Sequence, residues 1–220
     1  MKVALFDFDG TLYAKETFQL LMDHLKQHPT HGSKYKAFFR GILPIYIGYK
    51  MKIVPEAKMR ERSVQLYANA LSTLSKMELE HYFAELKEIM RQDLNEEVVE
   101  RVRQHHRDGM HVMLVSGAYT TLLHAVTDGI VFDTVIGTDI PFTEDGAFDS
   151  KTSIYHIQGK RKTEMIMESL QGKQIDWKHS FAYGDSYSDL PVLELVGNPV
   201  AVRPEERLRR VAEVRKWTII

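Results

Sequence analysis

Two aspartates, Asp7 and Asp9, follow directly on the apolar run Val3–Phe6 and lead into Gly10-Thr11. Carboxylates that close repel one another unless a cation or a proton separates them. An all-oxygen pair of this kind suits a hard cation such as Mg2+. Further along, Ser116-Gly117 follows the apolar run from His111 to Val115, and Lys162 stands just after Gly159. A third polar group, Gly184-Asp185-Ser186-Tyr187-Ser188-Asp189, follows the run from Ser180 to Tyr183. Transfer of a phosphoryl group needs a nucleophile, neutralisation of the equatorial oxygens and a proton donor for the leaving group. These residues can supply all three. Asp7 would attack phosphorus and carry an aspartyl-phosphate. Asp9 would protonate the leaving alkoxide and then activate water. Ser116, the Gly117 N–H and Lys162 would bind phosphoryl oxygens. Mg2+ would sit among Asp7, the Asp9 carbonyl, Asp185 and Asp189. Lys160 competes with Lys162, and the spacing from Gly159 favours Lys162.

The elements around these residues are legible from periodicity. The run Val3–Phe6 reads as a short, fully buried strand. From Asn95 helices and strands alternate. A helix carries Val98, Val99 and Val102 and ends at Gly109, a strand covers 111–115, and a helix covers 120–126. A β-rich stretch at 131–140 precedes the turn Glu144-Asp145-Gly146. Then come a helix at 161–170, a strand at 180–183, a short helix at 189–196, a strand at 199–202 and a last helix opening near Pro204. This alternation predicts an α/β fold with a Rossmann-like, doubly wound parallel sheet. Such sheets bind ligands at the carboxyl ends of their strands.

Between Glu16 and Arg91 the pattern is helical instead. Phe18, Leu21, Met22 and Leu25 share one face, as do Val64, Tyr67, Ala68 and Leu71, and Leu79, Tyr82, Phe83, Leu86 and Met90. Pro29 with Gly32, Pro44 and Pro55 are read as breakers, and Ser75 with Glu78 as a capping box. The predicted organisation is a catalytic core at 1–14 and 92–220, with a helical cap inserted at 15–91 over the carboxyl edge of the sheet. The aromatic stretch from Tyr35 to Tyr49 reads as cap packing, with a hydrophobic substrate groove or a membrane-surface face as the alternatives, and the Arg-rich C-terminus as a solvated face. His24, His28 and His31 lack a metalloprotease pattern.

DFDGT at 7–11, Ser116, Lys162 and GDSYSD at 184–189, in this order, resemble the four motifs of the haloacid dehalogenase superfamily of phosphohydrolases. The helical insertion after the first motif is similar to that of the subgroup containing phosphoserine phosphatase, with a C1-type cap. The resemblance implies a nucleophile at Asp7, an acid/base at Asp9, phosphate ligands at Ser116 and Lys162, and metal ligands at Asp185 and Asp189. It places Glu16 where that subgroup contacts substrate, and Arg60 or Arg62 near its carboxylate-binding arginine. One departure is Ser188, where phosphoserine phosphatases carry Asn. The expected activity is a Mg2+-dependent phosphomonoesterase acting on a small phosphorylated metabolite, foremost a phosphorylated amino acid or amino alcohol. The alternatives are another monoester, a phosphotransferase, or a non-catalytic phosphate-binding module. The intact Asp7/Asp9 pair argues against the last.

Composition bounds the remaining classes. The 220 residues carry a formal net charge of −1, so no global field favours nucleic acid or an anionic membrane. With no Cys, disulfides, thiol catalysis and Cys-based zinc sites are excluded. The N-terminal MKVALFDFDG has too short an apolar part for a signal peptide, and no run approaches a membrane span. The expected setting is cytoplasmic, with a small phosphorylated substrate and neither nucleic acid nor membrane as partner.

Overall fold

The computed structural model describes all 220 residues. The chain divides into two compact units: Met1–Glu16, Ala84–Gly137 and Ile157–Ile220 form the first, and Thr17–Phe83 with Thr138–His156 the second. The sequence pattern had assigned 138–156 to the core; these residues cluster with the helical unit.

The first unit is built on a six-stranded sheet of order β3-β2-β1-β4-β5-β6. The strands are β1 (Val3–Phe6), β2 (His111–Tyr119), β3 (Thr134–Thr138), β4 (Phe181–Gly184), β5 (Asn198–Ala201) and β6 (Thr218–Ile219). β1 pairs in parallel with β2 and β4, and β4–β5 and β5–β6 are parallel too. β1 is therefore central, which explains why Val3, Ala4, Leu5 and Phe6 are all apolar and all buried. Phe6 lies opposite Tyr183 in register, and their rings stack at 4.4 Å and 5°. The Tyr183 hydroxyl in turn lies 2.8 Å from Nε2 of buried His105.

The other elements of this unit are α5 (Lys87–Arg91), α6 (Glu96–Arg107), α7 (Thr120–Thr127), α8 (Lys160–Ser169), α9 (Leu190–Leu193) and α10 (Glu206–Arg215). α6 buries Val98, Val99, Val102 and His105 on one stripe. α9 is shorter than expected, and Pro204 lies ahead of α10, whose N-cap is Glu205. β2 runs on through Tyr119, so Ser116 belongs to the strand and not to a turn after it. β6, two residues long, carries too little pattern to be foreseen.

The second unit contains α1 (Thr17–Gln27), α2 (Gly32–Lys50), α3 (Glu56–Ala70) and α4 (Lys76–Ala84), whose last residue falls outside it. The single pattern expected over 79–90 is thus split into α4 and α5. Pro44 lies inside α2 and does not end it. Pro44 and Arg40 both lie on the exposed side of the helix, where solvent can replace the hydrogen bond that proline removes. Aromatic packing holds the bundle together. Phe18, Phe38 and Tyr67 meet edge to face, and the Tyr67 hydroxyl reaches Leu21 O at 2.8 Å and the Tyr82 hydroxyl at 2.7 Å. The Ser75–Glu78 capping box is formed. Gly146 closes the predicted turn, with Phe142 and Phe148 bridged across it. The Lys76 N–H donates to Gly146 O at 3.0 Å, and Ile154 N–H to Gln65 Oε1 at 2.9 Å. No helix is long and apolar enough to cross a membrane.

Candidate active site

The carboxyl ends of β1 and β4 come level in the sheet, and β2 runs on past them through Ser116. Phe6 pairs with Leu114 and with Tyr183, so Asp7, Ser116 and Gly184-Asp185 emerge at the same edge. The Asp7 N–H donates to Tyr183 O at 3.0 Å, which extends the β1–β4 ladder by one step and fixes the start of the loop. Gly10 then turns the chain with φ +75°. A β-carbon there would lie 2.1 Å from Asp185 Oδ2, so only glycine lets this loop pass the Asp185 carboxylate. Gly184 has a similar reason: its β-carbon would meet that of Asp189 at 2.8 Å.

Lys162 links the loops. It sits in the first turn of α8, 6% exposed, whereas Lys160 at the start of that helix is exposed. Its Nζ donates to Asp7 Oδ1 at 2.5 Å and to Asp189 Oδ1 at 2.6 Å. Asp189 Oδ2 accepts from the Ser186 N–H at 3.2 Å and the Ser186 hydroxyl at 2.9 Å. Both Asp189 oxygens thus have protein donors, and Asp189 anchors Lys162 and its own loop. Thr11 Oγ1 lies 3.5 Å from Asp185 Oδ1.

Asp7, Asp185 and Asp189 each offer an oxygen within 4.8 Å of the others. Three buried or half-buried carboxylates face one ammonium, and Asp7 and Asp185 register the excess. Burial, then the Asp189 and Asp185 carboxylates, push the Asp7 carboxyl well above its usual range, and Lys162 offsets only part of this. Asp185 is pushed up to about 7 by burial and by the fields of Asp189 and Glu16. Burial disfavours the charged form of Lys162, but Asp189 and Asp7 outweigh it and hold the ammonium above its ordinary value. A divalent cation would relieve this excess, and an all-oxygen donor set fits Mg2+. Asp7, Asp185 and Asp189 would hold it.

Asp9 stands apart from this triplet. It is half-buried and bridges Tyr13. Burial and the fields of Asp93 and Asp9 push the Tyr13 hydroxyl up to about 12. Ser116 is buried, and its Oγ accepts the Ala118 N–H at 3.0 Å, which leaves its own proton to donate. Glu16 is exposed at the end of the first unit's opening segment, with its field on Asp185. Arg60 and Arg62 are exposed on α3 of the helical unit, and Arg60 pairs with Glu56 at 3.0 Å. Sequence reasoning did not find Glu205 and Arg207. Glu205 Oε1 accepts the Tyr187 N–H at 2.8 Å, the Glu205 N–H donates to Asp185 O at 2.9 Å, and the Arg207 guanidinium stacks 3.3 Å above the Tyr187 ring. Part of the expected solvated face therefore braces the 185–189 loop. Nothing in a charged run at 203–210 announces that, because the partners are some 20 positions away in sequence.

The pattern of a haloacid dehalogenase-like hydrolase matches residues 4–194, from β1 through α9. The chain belongs to that family. It is 31% identical over 144 residues to an "inhibition of morphological differentiation protein" of Streptomyces azureus, covering 62% of this chain and 52% of that one. The chain thus spans about half the length of that relative, and less of several mycobacterial ones. A histidinol-phosphatase of Neisseria meningitidis is 22% identical over 99% of this chain and 97% of its own. Among solved structures, a Bordetella pertussis protein of unknown function has the same fold with a TM-score of 0.81, at 22% identity over 100% of this chain and 97% of its own. A substrate-bound phosphoserine phosphatase is also similar, with a TM-score of 0.63 at 17% identity over 100% of this chain and 92% of its own. The Rossmann-like core expected from the sequence is the fold these structures share.

Proposed function

We propose that this member of the family is a Mg2+-dependent phosphomonoesterase working through an aspartyl-phosphate on Asp7. The observation that carries the reading is the Lys162 ammonium, buried and shared between Asp7 and Asp189, with Asp185 completing a carboxylate cluster. Lys162 holds Asp7 Oδ1 and so sets the rotation of the carboxylate beneath the incoming phosphorus. As the new P–O bond forms, the ester P–O bond breaks, and Asp9 gives its proton to the leaving alkoxide. Asp9, half-buried and open to exchange, then takes a proton from the water that attacks the aspartyl-phosphate, releasing phosphate and restoring Asp7. The Ser116 hydroxyl and the Gly117 N–H donate to phosphoryl oxygens through both steps. Bound among Asp7, Asp185 and Asp189, Mg2+ supplies charge neutralisation for the phosphoryl oxygens.

For the substrate, Glu16 supports an amine-bearing monoester. It is an exposed carboxylate near enough for its field to reach Asp185, so it can pair with an ammonium. The names histidinol-phosphatase and phosphoserine phosphatase among similar proteins point the same way. The test is phosphate release with Mg2+ from phosphoserine, histidinol phosphate, sugar phosphates and nucleotides, for wild type and Asp7→Asn. Turnover of amino-bearing esters that Asp7→Asn abolishes is the expected result. Activity that survives Asp7→Asn would remove Asp7 as nucleophile, and an Asp7-dependent preference for sugar phosphates would remove the amine assignment.

A further inference from the structure

The helical unit carries a feature that the hydrolytic site does not use. Between Asp23 and Glu56 the chain has no carboxylate and six cations, in a protein of formal net charge −1. The rest of the chain is therefore at a formal −7. The same stretch holds six exposed large apolar side chains: Phe39 (44%), Leu43 (39%), Tyr46 (43%), Ile47 (48%), Met51 (65%) and Ile53 (71%). Phe39, Leu43, Tyr46 and Ile47 fall on one stripe of α2 at helical spacing, flanking the face that buries Phe38 and Ile42. α2 thus has two apolar faces, and only one of them is buried. Exposed aromatic and aliphatic residues in such number and contiguity mark an interaction surface.

The cations frame this stripe. Lys36 and Arg40 lie at its N-terminal end, and Lys50 and Lys52 at the other. Lys50 Nζ lies 5.4 Å above the Tyr46 ring and 5.9 Å from that of Tyr49, so its stem runs along the apolar face with the charge at the rim. The turn after α2 is closed from within: Met51 N–H donates to Ile47 O, Lys52 to Tyr49 O, and Ile53 and Val54 both to Gly48 O, at 2.9–3.0 Å. A turn that pairs its own amides can enter an apolar medium without stranding backbone donors. Met51 and Ile53 project from that turn on either side of Lys52.

We infer that the exposed face of α2 and the turn at residues 51–53 dock on an anionic lipid bilayer, lying in its headgroup region. Charge complementarity selects this occupant. A stretch whose exposed apolar side chains are rimmed by cations, and which itself carries no carboxylate, matches an acidic headgroup layer over acyl chains. The near-zero total charge hides the asymmetry, which is why composition alone pointed away from membranes. The surface is a docking face and not a span, since no helix here crosses a bilayer.

The test is sedimentation of the full chain with vesicles of phosphatidylcholine alone, or of phosphatidylcholine mixed with phosphatidylglycerol, at low and high salt. Wild type should bind the mixed vesicles, bind phosphatidylcholine alone far less, and release as salt rises. Lys50→Gln with Lys52→Gln should weaken binding about thirtyfold. Met51→Ser with Ile53→Ser should weaken it about tenfold or more. All four positions are exposed, so both variants should melt with the wild type. Absence of binding to the mixed vesicles, equal binding to both kinds, or undiminished binding by both variants would overturn the inference. A concentration-dependent dimer dissolved by these same substitutions, without vesicle binding, would assign the face to a second copy of the chain instead.

Discussion

Replacing Gly10 by alanine separates two roles that one residue plays. Gly10 has φ +75°, and a left-handed backbone costs an alanine about 1–2 kcal/mol. For a chain of this size that lowers the melting temperature by about 2–8 °C. The added β-carbon would also lie 2.1 Å from Asp185 Oδ2 and 2.4 Å from its Cγ, where ordinary contact begins at 3.4 Å. The carboxylate must therefore retreat by about 1.3 Å. A misplacement of about 1 Å at a reacting centre costs on the order of 10²-fold in rate. Gly172 provides the control, because it has φ +77° and nothing within 4 Å of its added β-carbon. Both variants should lose similar melting temperature in a thermal scan. Only Gly10→Ala should lose about 10²-fold in phosphate release and need more Mg2+ for half-maximal rate. A Gly10→Ala enzyme with wild-type rate and metal dependence would refute the placement of Asp185 in the site, as would an equal rate loss in Gly172→Ala.

Three further outcomes follow from the same geometry. Lys162→Met leaves Asp7 and Asp189 without their buried cation, so the metal-free protein should lose about 3–5 kcal/mol in denaturant titration, and a loss well below 1 kcal/mol would mean that the ion pairs seen here contribute little. Asp9→Asn should slow turnover by about 10²–10⁴-fold while Mg2+ still raises the melting temperature, since Asp9 lies outside the carboxylate triplet; full activity would remove it from proton transfer. Burial holds the His105 imidazole below its usual value, so the unfolded chain binds the extra proton once pH drops below about 6.5. Stability should therefore be complete above that pH and fall below it, by at most about 1.4 kcal/mol per pH unit, and His105→Gln should flatten the difference in unfolding experiments between about pH 7.5 and pH 5.

The sequence disclosed the chemistry better than the architecture around it. Asp7, Lys162 and Asp185 are legible because each follows or opens an element with a clear pattern, and Ser116 because it directly follows the apolar run that begins β2; a parallel sheet brings these positions to one edge. The spacing from Gly159 favours Lys162 over Lys160, and burial separates the two. Pro44 misleads because a proline's cost depends on whether the carbonyl it orphans meets solvent, which sequence does not show. The helical continuity read across 79–90 fails at Glu85-Leu86 because the apolar period runs on across the break between two helices, each burying its own part of it. The bracing of Tyr187 by Glu205 and Arg207 depends on tertiary approach, and a charged run carries no sign of it.

The position of β1 in the sheet also shapes how the chain comes to be folded. Val3 finds its partner on one side at His111, and Ala4 finds its partner on the other at Phe181. During synthesis the four apolar residues of β1 therefore emerge well before either partner, and about 175 residues separate them from the strand that covers the second flank. Pairings this distant in sequence slow folding and prolong the exposure of sticky segments. A chain ended before Phe181 would keep one edge of its central strand open to association with another copy.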